Sequence, residues 1–323
     1  MTSQPTVTVL LSHHFPAEAE PRIRAISPRI RLLRLPPEVG PAPTDAGDAE
    51  VLAWWEGGSR GLADLRAALP RLRWLQAPAA GIGDRRLHLV LGPDVLVTSA
   101  AGVYSDMVAE HVLALTLALY KRLPDLFDLQ RQGQWRDLPT RTLQGRTMGI
   151  IGAGGIGRAT ARLARAFGMR VIGVRRGEGE VPELDQTLPL RRLPDLLGAS
   201  DVVVLTAPLT EETRGMVNAA FLRAMRPSAV LVNVARGGLV VTDALVRALT
   251  DRWIGGAALD VTDPEPLPEG HPLWHAPNTI ITPHHANPSE ASVEPITARF
   301  CENLRRYLAG EPLLAVVDPA RGY

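Results

Sequence analysis

Three polar residues in the second half of the chain have the types and the order of a site for carbonyl chemistry. Arg236 follows the apolar run AVLVNVA, Glu265 follows GAALDV, and His284 follows TIITP. Each run is typical of a buried strand, and the carboxyl ends of parallel strands form the ligand-binding edge of an open α/β sheet. We therefore expect these three side chains to meet in one cleft.

An arginine and a histidine in such a cleft are suited to the reduction of a 2-keto acid. The guanidinium can hold the carboxylate and polarise the carbonyl, and the imidazole can donate a proton to the carbonyl oxygen. A carboxylate bonded to the imidazole fixes its tautomer and favours its protonated form. Taken singly, Arg236 and Glu265 could equally be a surface pair in an arginine-rich chain. Their occurrence together with His284 favours the catalytic interpretation.

A glycine-rich turn, GAGGIG at residues 152–157, indicates a binding site for the pyrophosphate of a dinucleotide. It follows the strand TMGII and opens a helix with small residues on its packing face. Gly152 permits the tight turn, Gly154 lets backbone amides approach the pyrophosphate, and Gly157 brings helix and strand together. A glycine-rich turn with a purely structural role is the alternative. The predicted cofactor contacts in this turn are Gly152, Gly154, Gly155, Ile156 and Gly157.

Two arginines stand at the end of the next strand, where NAD-binding proteins usually have a carboxylate for the ribose hydroxyls. Arginine instead offers charge-assisted, often bidentate bonds to the 2′-phosphate of NADP. Arg175 occupies the discriminating position, and Arg176 is expected to stack on the adenine or to add a second phosphate contact. We therefore predict that NADPH is preferred over NADH. The alternatives are that both arginines point into solvent, or that Glu178 or Glu180 turns back onto the ribose.

Composition and charge argue against several other classes of protein. The 323 residues suffice for two domains, and 35 basic against 34 acidic side chains give no reason to expect a nucleic-acid partner. Cys301 is the only cysteine, which excludes an internal disulfide and zinc sites built on paired cysteines. No metal is expected, because the remaining histidines lack ligand spacing and are interpreted as surface or core residues: His13, His14, His88, His111, His271 and His275.

Targeting and membrane signals are not evident in the sequence. The first residues lack the basic and apolar regions of a signal peptide. The most apolar run, VLALTLALY, is well short of the roughly 20 residues that a membrane helix needs. We expect a soluble, cytoplasmic protein that does not bind membranes.

The elements that must position these residues form two groups of alternating strands and helices, which predicts two parallel sheets. In the first group the strands are TVTVLLS, RIRLLRL, AEVLAWW, LRWLQAP and VLVTSA. A helix from Val103 to Leu119, apolar almost all round, must be buried in a core or against another subunit. The second group contains the glycine-rich turn and strands at 201–208, 229–235, 256–261 and 279–283. A long helix after His285 and a short strand, LLAVV, are expected to end the chain.

Four motifs in this order resemble the D-isomer-specific 2-hydroxyacid dehydrogenase family over nearly the whole chain: GIIGAGGIG, NVARGG, ALDVTDPEPLP and HPLWHAPNTIITPHHA. The paired arginines and the C-terminal DPARGY resemble its NADPH-dependent glyoxylate/hydroxypyruvate reductase branch. The resemblance implies a flavodoxin-like substrate domain, residues 1–99 and 287–323, into which a Rossmann cofactor domain, residues 100–286, is inserted. It also implies a homodimer formed through the helix at residues 103–121.

The resemblance assigns a role to each residue of the predicted site. Arg236 binds the substrate, Glu265 pairs with the imidazole, His284 is the acid and base, and Asp260 holds the nicotinamide carboxamide. His284 is chosen because histidine directly follows TP in the family, and His285 is interpreted as lining the pocket or facing solvent. Further predicted cofactor contacts follow the next two strands: Ala207, Pro208 and Ala235.

The substrate loop is assigned by the same resemblance. The backbone amides of Ala80 and Gly81, in APAAGIGD, match the loop that holds the substrate carboxylate, and Trp54 or Trp55 matches a wall of the pocket. The family commonly has GID here, whereas this chain has Gly83 and Asp84, which indicates a loop that is shifted or more flexible. Adjacent tryptophans after a strand can also simply cap a core.

Together these features predict an NADPH-dependent oxidoreductase. It would reduce a small 2-keto acid, of the glyoxylate or hydroxypyruvate type, to the D-2-hydroxy acid. The alternative is a nucleotide-sensing, corepressor-like binding protein on the same scaffold. Formate or phosphite oxidation is a further option within the enzyme class.

Overall fold

The computed structural model describes residues 5–36, 43–53, 59–81, 87–177, 179–287 and 289–318. It divides into two compact units, unit 1 (residues 1–104 and 289–323) and unit 2 (residues 105–288). Each unit is built on one parallel sheet with helices, which confirms the predicted α/β class. Several sequence positions discussed above lie outside the described residues: Trp54, Trp55, Gly83, Asp84, Glu178 and the terminal residues 319–323.

Unit 1 has, within its described residues, a sheet of five parallel strands in the order β2-β1-β3-β4-β5, the flavodoxin-like order. The strands are β1 (Val7–Leu11), β2 (Ile30–Arg34), β3 (Ala49–Ala53), β4 (Trp74–Gln76) and β5 (Leu96–Thr98). The helices are α1 (Glu20–Arg24), α2 (Ser59–Ala68), α3 (Leu87–Leu91) and the C-terminal α10 (Ser289–Ala309).

Both faces of this sheet are buried, because successive side chains of a strand point to opposite faces and both faces carry apolar residues. Leu10 and Leu52 belong to one apolar cluster. Val9, Leu11 and Val51 belong to the other, together with residues of α10. The continuous apolar runs seen in the sequence are therefore typical of a strand covered on both sides.

The C-terminal segment LLAVV, predicted as a short strand, returns to the unit 1 sheet but forms only an isolated bridge there. Leu314 and Ala315 form a turn, Ala315 has φ 55°, and Val316 makes a single antiparallel bridge to Thr98. The buried Asn303 on α10 bonds both backbone groups of Leu314, accepting from N–H at 2.8 Å and donating to the carbonyl at 3.1 Å. These side-chain bonds compete with a sheet ladder, so the segment lies beside β5 without becoming a strand.

Unit 2 has, within its described residues, seven parallel strands in the order β12-β11-β10-β9-β6-β7-β8. Counted from β6, this is the Rossmann order with one additional strand at the edge. The strands are β6 (Thr147–Ile151), β7 (Arg170–Arg175), β8 (Gln186–Pro189), β9 (Val202–Leu205), β10 (Val230–Asn233), β11 (Gly256–Leu259) and β12 (Thr279–Ile281).

The described residues of unit 2 also form helices, some of which pack on the strands of this sheet. The helices are α4 (Ser105–Tyr120), α5 (Leu123–Arg131), α6 (Gly155–Ala166), α7 (Leu193–Ala199), α8 (Ala219–Ala224) and α9 (Thr242–Thr250). The sequence did not predict β8, which is short and only partly buried. A 3-10 turn, Pro272–His275, replaces the helix expected before β12. In the described part of the chain, no helix combines the length and the apolar character needed to cross a membrane.

Candidate active site

The three polar residues predicted from the sequence follow β10, β11 and β12, which are adjacent strands of one sheet. Their last residues are in register, since Asn233 pairs with Leu259 and Leu259 pairs with Ile281. Parallel strands that end at the same level deliver the segments after them to one edge. Arg236, Glu265 and His284 therefore come from neighbouring loops at the carboxyl edge of the unit 2 sheet.

His284 and Glu265 are bonded directly, with His284 Nδ1 2.7 Å from Glu265 Oε1. The second oxygen of Glu265 accepts the backbone N–H of Thr262 at 3.4 Å. A carboxylate only accepts, so Nδ1 carries the hydrogen and Nε2 is the ring atom able to exchange a proton with a substrate. Both side chains are 43% exposed, so a ligand can reach them. The geometry matches that of a histidine acid oriented by a carboxylate.

The backbone at His284 is in the left-handed region, with φ 52°. A residue with a side chain in this region costs on the order of 1–3 kcal/mol and persists only where its surroundings fix it. Here the N–H of His284 lies 2.8 Å from the carbonyl oxygen of Asp260 and 3.0 Å from that of Thr282. Such conformations concentrate at functional sites, which agrees with the role predicted for His284.

The side chain of Asp260 holds the rest of this turn. Its Oδ1 accepts the hydroxyl of Thr282 at 2.6 Å and the N–H of His285 at 2.7 Å, and its Oδ2 accepts the N–H of Ala286 at 3.1 Å. The carboxylate is 1% exposed. Burial alone would raise its pKa, but the hydrogen bonds from His111, Thr282 and the His285 amide outweigh burial and lower the pKa to about 2. The contact with a nicotinamide carboxamide stays a prediction; the bonds described here are to the chain itself.

The loop of Arg236 is fixed by Asn233, the buried last residue of β10. Asn233 donates to the carbonyl of Arg236 at 2.9 Å and accepts from the N–H of Ala235 at 3.1 Å. A Cβ on Gly237 would overlap the carbonyl oxygen of Thr262, so the residue after Arg236 must be glycine for the two loops to touch. Because Thr262 bonds Glu265, the arginine loop packs on the loop that orients the imidazole.

The glycine-rich turn lies at the point where the strand order of this sheet reverses, between β6 and β9. Gly152 has φ 104°, and a Cβ there would lie 2.6 Å from the amide nitrogen of Ala207, in the loop after β9. Gly154 is the N-cap of α6 and offers no side chain to cap the helix. A Cβ on Gly154 would meet nothing within 4 Å, so the space beside this residue is open.

This corner fits the pyrophosphate of a dinucleotide. The first backbone N–H groups of an α-helix lack partners within the helix, and the helix dipole adds positive potential there. Gly155, Ile156 and Gly157 supply those groups in α6. Ala207 and Pro208 follow β9 beside the turn, and Ala235 follows β10 next to Asn233. All of these predicted contacts lie along the same edge as His284.

Arg175 and Arg176 come at the end of β7, directly beside β6. Arg176 is exposed and forms an ion pair with Glu212, in the segment after β9. Arg175 is half-buried, and its guanidinium folds back over Gly177, where a Cβ would lie 2.7 Å from Nη2. The two arginines thus differ in surroundings. Arg175 is the last residue of β7 and lies beside β6, the strand that precedes the glycine-rich turn.

Ala80 and Gly81 lie in unit 1, in the segment after β4. Three hydrogen bonds fix the first residues of this segment. Two are between backbone groups: Ala77 N–H donates to Thr98 O at 2.8 Å, and Ala100 N–H donates to Ala79 O at 3.0 Å. The hydroxyl of Tyr104 donates to Pro78 O at 2.6 Å. Burial raises the pKa of Tyr104 to about 12, so the phenol keeps its donated hydrogen at neutral pH. These bonds fix the backbone of residues 77–79, which directly precede Ala80 and Gly81.

Two residues of the site were not found from the sequence. Asn233 was included only as part of a strand, although it fixes the Arg236 loop. His111 was interpreted as a surface or core residue, yet its Nε2 lies 3.1 Å from Thr282 Oγ1. No sequence signal links His111 to Thr282, since these two residues are 171 positions apart. Within the described residues, no group of three or more His, Cys, Asp or Glu side chains could hold a metal ion.

Residues 113–286 match the family model described as the D-isomer specific 2-hydroxyacid dehydrogenase, NAD binding domain. A glyoxylate reductase of Thermococcus kodakarensis is 34% identical over 314 residues, which are 94% of this chain and 90% of that protein. The chain belongs to the D-isomer-specific 2-hydroxyacid dehydrogenase family. The motifs that indicated this family in the sequence are the ones that build the edge described above.

Solved structures of this dehydrogenase family agree with the assignment. A D-isomer-specific 2-hydroxyacid dehydrogenase of Xanthobacter autotrophicus, in complex with NADPH and MES, is 32% identical with a TM-score of 0.85, covering 99% of this chain and 100% of that one. An NADPH-dependent glyoxylate/hydroxypyruvate reductase of Sinorhizobium meliloti, in complex with NADP and sulfate, is 27% identical with a TM-score of 0.83, covering 98% and 100%.

The low pKa of Asp260 predicts a loss of stability in acid. An unfolded aspartate has a pKa of about 3.9, so the ionised, hydrogen-bonded carboxylate stabilises the fold above about pH 4 and ceases to do so as the pH falls towards 2. In Asp260→Asn this contribution is absent. The difference in free energy of unfolding between wild type and variant should therefore shrink by about 2 kcal/mol from pH 5 to pH 2.

Urea unfolding of both proteins over this pH range measures the effect. Asp137→Asn, which changes an exposed carboxylate outside the helices of unit 2, is the matched control and should leave the pH dependence nearly unchanged. A wild-type–Asp260→Asn difference that stays constant with pH would show that the carboxylate is not held ionised by the turn.

Proposed function

We propose that this dehydrogenase uses NADPH to reduce a small 2-keto acid, of the glyoxylate or hydroxypyruvate type, to the D-2-hydroxy acid. The observation that carries the proposal is the 2.7 Å bond between His284 and Glu265, next to the loop of Arg236. The curated relatives named glyoxylate reductase support the substrate class. The neighbours bound to NADPH or NADP support the coenzyme.

The residues divide the work between binding and proton transfer. Arg236 binds the substrate carboxylate and polarises the carbonyl, for which a planar guanidinium with paired donors is suited. His284 donates the proton on Nε2 to the carbonyl oxygen, and Glu265 keeps the imidazole in the required tautomer. When bound, the dihydronicotinamide supplies the hydride that is added to the carbonyl carbon. In the reverse direction His284 accepts the hydroxyl proton.

The coenzyme preference depends on Arg175. Glu212 pairs with Arg176, so the guanidinium of Arg175 is the better candidate for the 2′-phosphate. The position is at the end of β7, where the ribose binds in this sheet order. Ala80 and Gly81 are proposed to hold the substrate carboxylate through their backbone amides. The buried, free Cys301 agrees with a reducing compartment, and we propose the cytoplasm.

Oxidation of NADPH with a panel of 2-keto acids tests the function. We expect turnover with glyoxylate or hydroxypyruvate above that with pyruvate, phenylpyruvate and 2-ketoisocaproate. His284→Gln should lower kcat by about 10²–10⁴-fold because the proton donor is lost, and Glu265→Gln should lower it less. His285→Gln is the matched control, since its side chain is not bonded to Glu265.

Two outcomes would contradict this assignment. If the protein binds NADPH but no 2-keto acid is reduced, the nucleotide-sensing alternative replaces the enzyme. If His285→Gln abolishes turnover and His284→Gln does not, the acid has been assigned to the wrong histidine.

The NADPH preference is tested by Arg175→Ala. The loss of charge-assisted bonds to the 2′-phosphate should lower kcat/KM for NADPH by about 10–100-fold and leave kcat/KM for NADH nearly unchanged. Arg170→Ala, at the other end of β7, is the control for removing an arginine from this strand. Equal losses with both coenzymes would show that Arg175 does not discriminate between them.

We also propose that the protein is a homodimer formed through the helix predicted at residues 103–121, and that α5 and Trp135 extend this interface. The amphipathic helix α5 has no buried residue, and half of the Phe127 side chain is exposed. Trp135, just beyond this helix, is fully exposed. Apolar side chains grouped in this way are typical of an interface, and a second copy of the chain offers the same apolar surface.

Trp135→Glu should therefore weaken the dimer, because a charge would be buried at the interface. Sedimentation equilibrium at micromolar concentration measures the shift towards monomer. Trp274→Glu, at another exposed tryptophan, is the control and should leave the mass unchanged. A wild-type protein that sediments as a monomer would contradict the dimer itself.

A further inference from the structure

We propose that His111, on helix α4, is a positioning residue for the reaction, because it holds the turn that carries His284. The inference rests on the proposed function, in which His284 is the proton donor. His111 Nε2 lies 3.1 Å from Thr282 Oγ1 and 3.4 Å from Asp260 Oδ1. It therefore touches both the first residue of the turn and the carboxylate that anchors it.

The direction of these bonds follows from the number of protons available. The hydroxyl of Thr282 has one hydrogen, and at 2.6 Å from the ionised Asp260 that hydrogen is donated to the carboxylate. The Thr282 oxygen can then only accept from His111. His111 Nε2 must carry a hydrogen, which it shares between Thr282 Oγ1 and Asp260 Oδ1. His111 is thus the donor that completes this group in either charge state of its ring.

The bonds continue from this group to the catalytic imidazole. Asp260 accepts the N–H groups of His285 and Ala286 through its side chain and that of His284 through its carbonyl oxygen. These bonds maintain the left-handed conformation of His284, with φ 52°. This conformation places His284 Nδ1 2.7 Å from Glu265 Oε1. A change at His111 therefore acts on His284 through the backbone, with no contact between the two rings required.

Helix α4 gives this arrangement a rigid support. The helix packs on β10, β11 and β12, the strands that deliver the three site residues. Val108 and Val112 are buried on the helix beside His111, and the His111 side chain is 20% exposed. The donor is therefore held by a packed helix, while partial access to water limits the effect of removing it. We expect a moderate effect on turnover.

A matched pair of substitutions isolates the donor. In His111→Gln the side-chain amide can place an N–H near the position of Nε2, whereas His111→Leu has a similar volume and no donor. Thr282→Val keeps the shape and removes the hydroxyl, and with it both the bond accepted from His111 and the bond donated to Asp260. His275→Leu, at an exposed histidine, controls for the loss of a histidine elsewhere in unit 2.

Hydrogen exchange of the cofactor-free protein, followed by mass spectrometry, is the first measurement. In His111→Leu and Thr282→Val the amides of His284, His285 and Ala286 should exchange about tenfold faster, the factor expected for one hydrogen bond. In His111→Gln they should stay within about twofold of wild type. Peptides from β6 and α6 should be unchanged in all variants. Unchanged exchange at residues 284–286 in His111→Leu would overturn the proposal, whatever Thr282→Val shows.

Steady-state kinetics with the best 2-keto acid is the second measurement. His111→Leu should lower kcat about 3–10-fold, and His111→Gln should recover it. If exchange rises but kcat does not fall, His111 stabilises the turn without serving the reaction, and the proposal is wrong. If wild type reduces no 2-keto acid, the proposed function fails separately, and the exchange data still decide whether His111 holds the His284 turn.

Discussion

The buried carboxylate of Asp260 is the interaction on which the candidate site depends. Its negative charge is only 1% exposed, and burial of a charge is unfavourable unless the charged group is hydrogen-bonded. The bonds that it accepts from Thr282, His285 and Ala286 offset this desolvation. A charged acceptor makes stronger hydrogen bonds than a neutral one, and removal of one partner leaves the charge uncompensated. The turn after β12 is therefore organised around the carboxylate of Asp260, the residue that directly follows β11.

The sheet supplies the remaining order. The parallel strands β10, β11 and β12 end in register. The loops that carry Arg236, Glu265 and His284 therefore begin at the same level of the sheet and lie next to one another. The strand order reverses between β6 and β9, which leaves room for the helix N-terminus of α6 and its open glycine corner. A nucleotide corner and an acid–base pair on one edge are the arrangement that a hydride-transfer enzyme requires.

Much of this could be predicted from local sequence, because it depends on periodicity, glycine spacing and strand ends. The strands β1 to β5 and β9 to β12, the glycine turn and the meeting of Arg236, Glu265 and His284 at one edge follow from such patterns. The pairing of His284 with Glu265 was implied by the family resemblance. The conformation of the LLAVV segment could not be predicted in this way, since the side chain of Asn303 on α10 bonds the N–H and the carbonyl of Leu314. Contacts between distant positions, such as Arg176 with Glu212 and His111 with Thr282, leave no pattern in a single sequence.

Gly237 limits how this edge can change during evolution or engineering. Any side chain there would overlap the carbonyl of Thr262, so even alanine would push the arginine loop away from the loop of Glu265. A library aimed at larger substrates should therefore leave this position fixed. Variation at the exposed ends of the neighbouring loops preserves the spacing between the guanidinium and the imidazole, and selection for new specificity has room to act there.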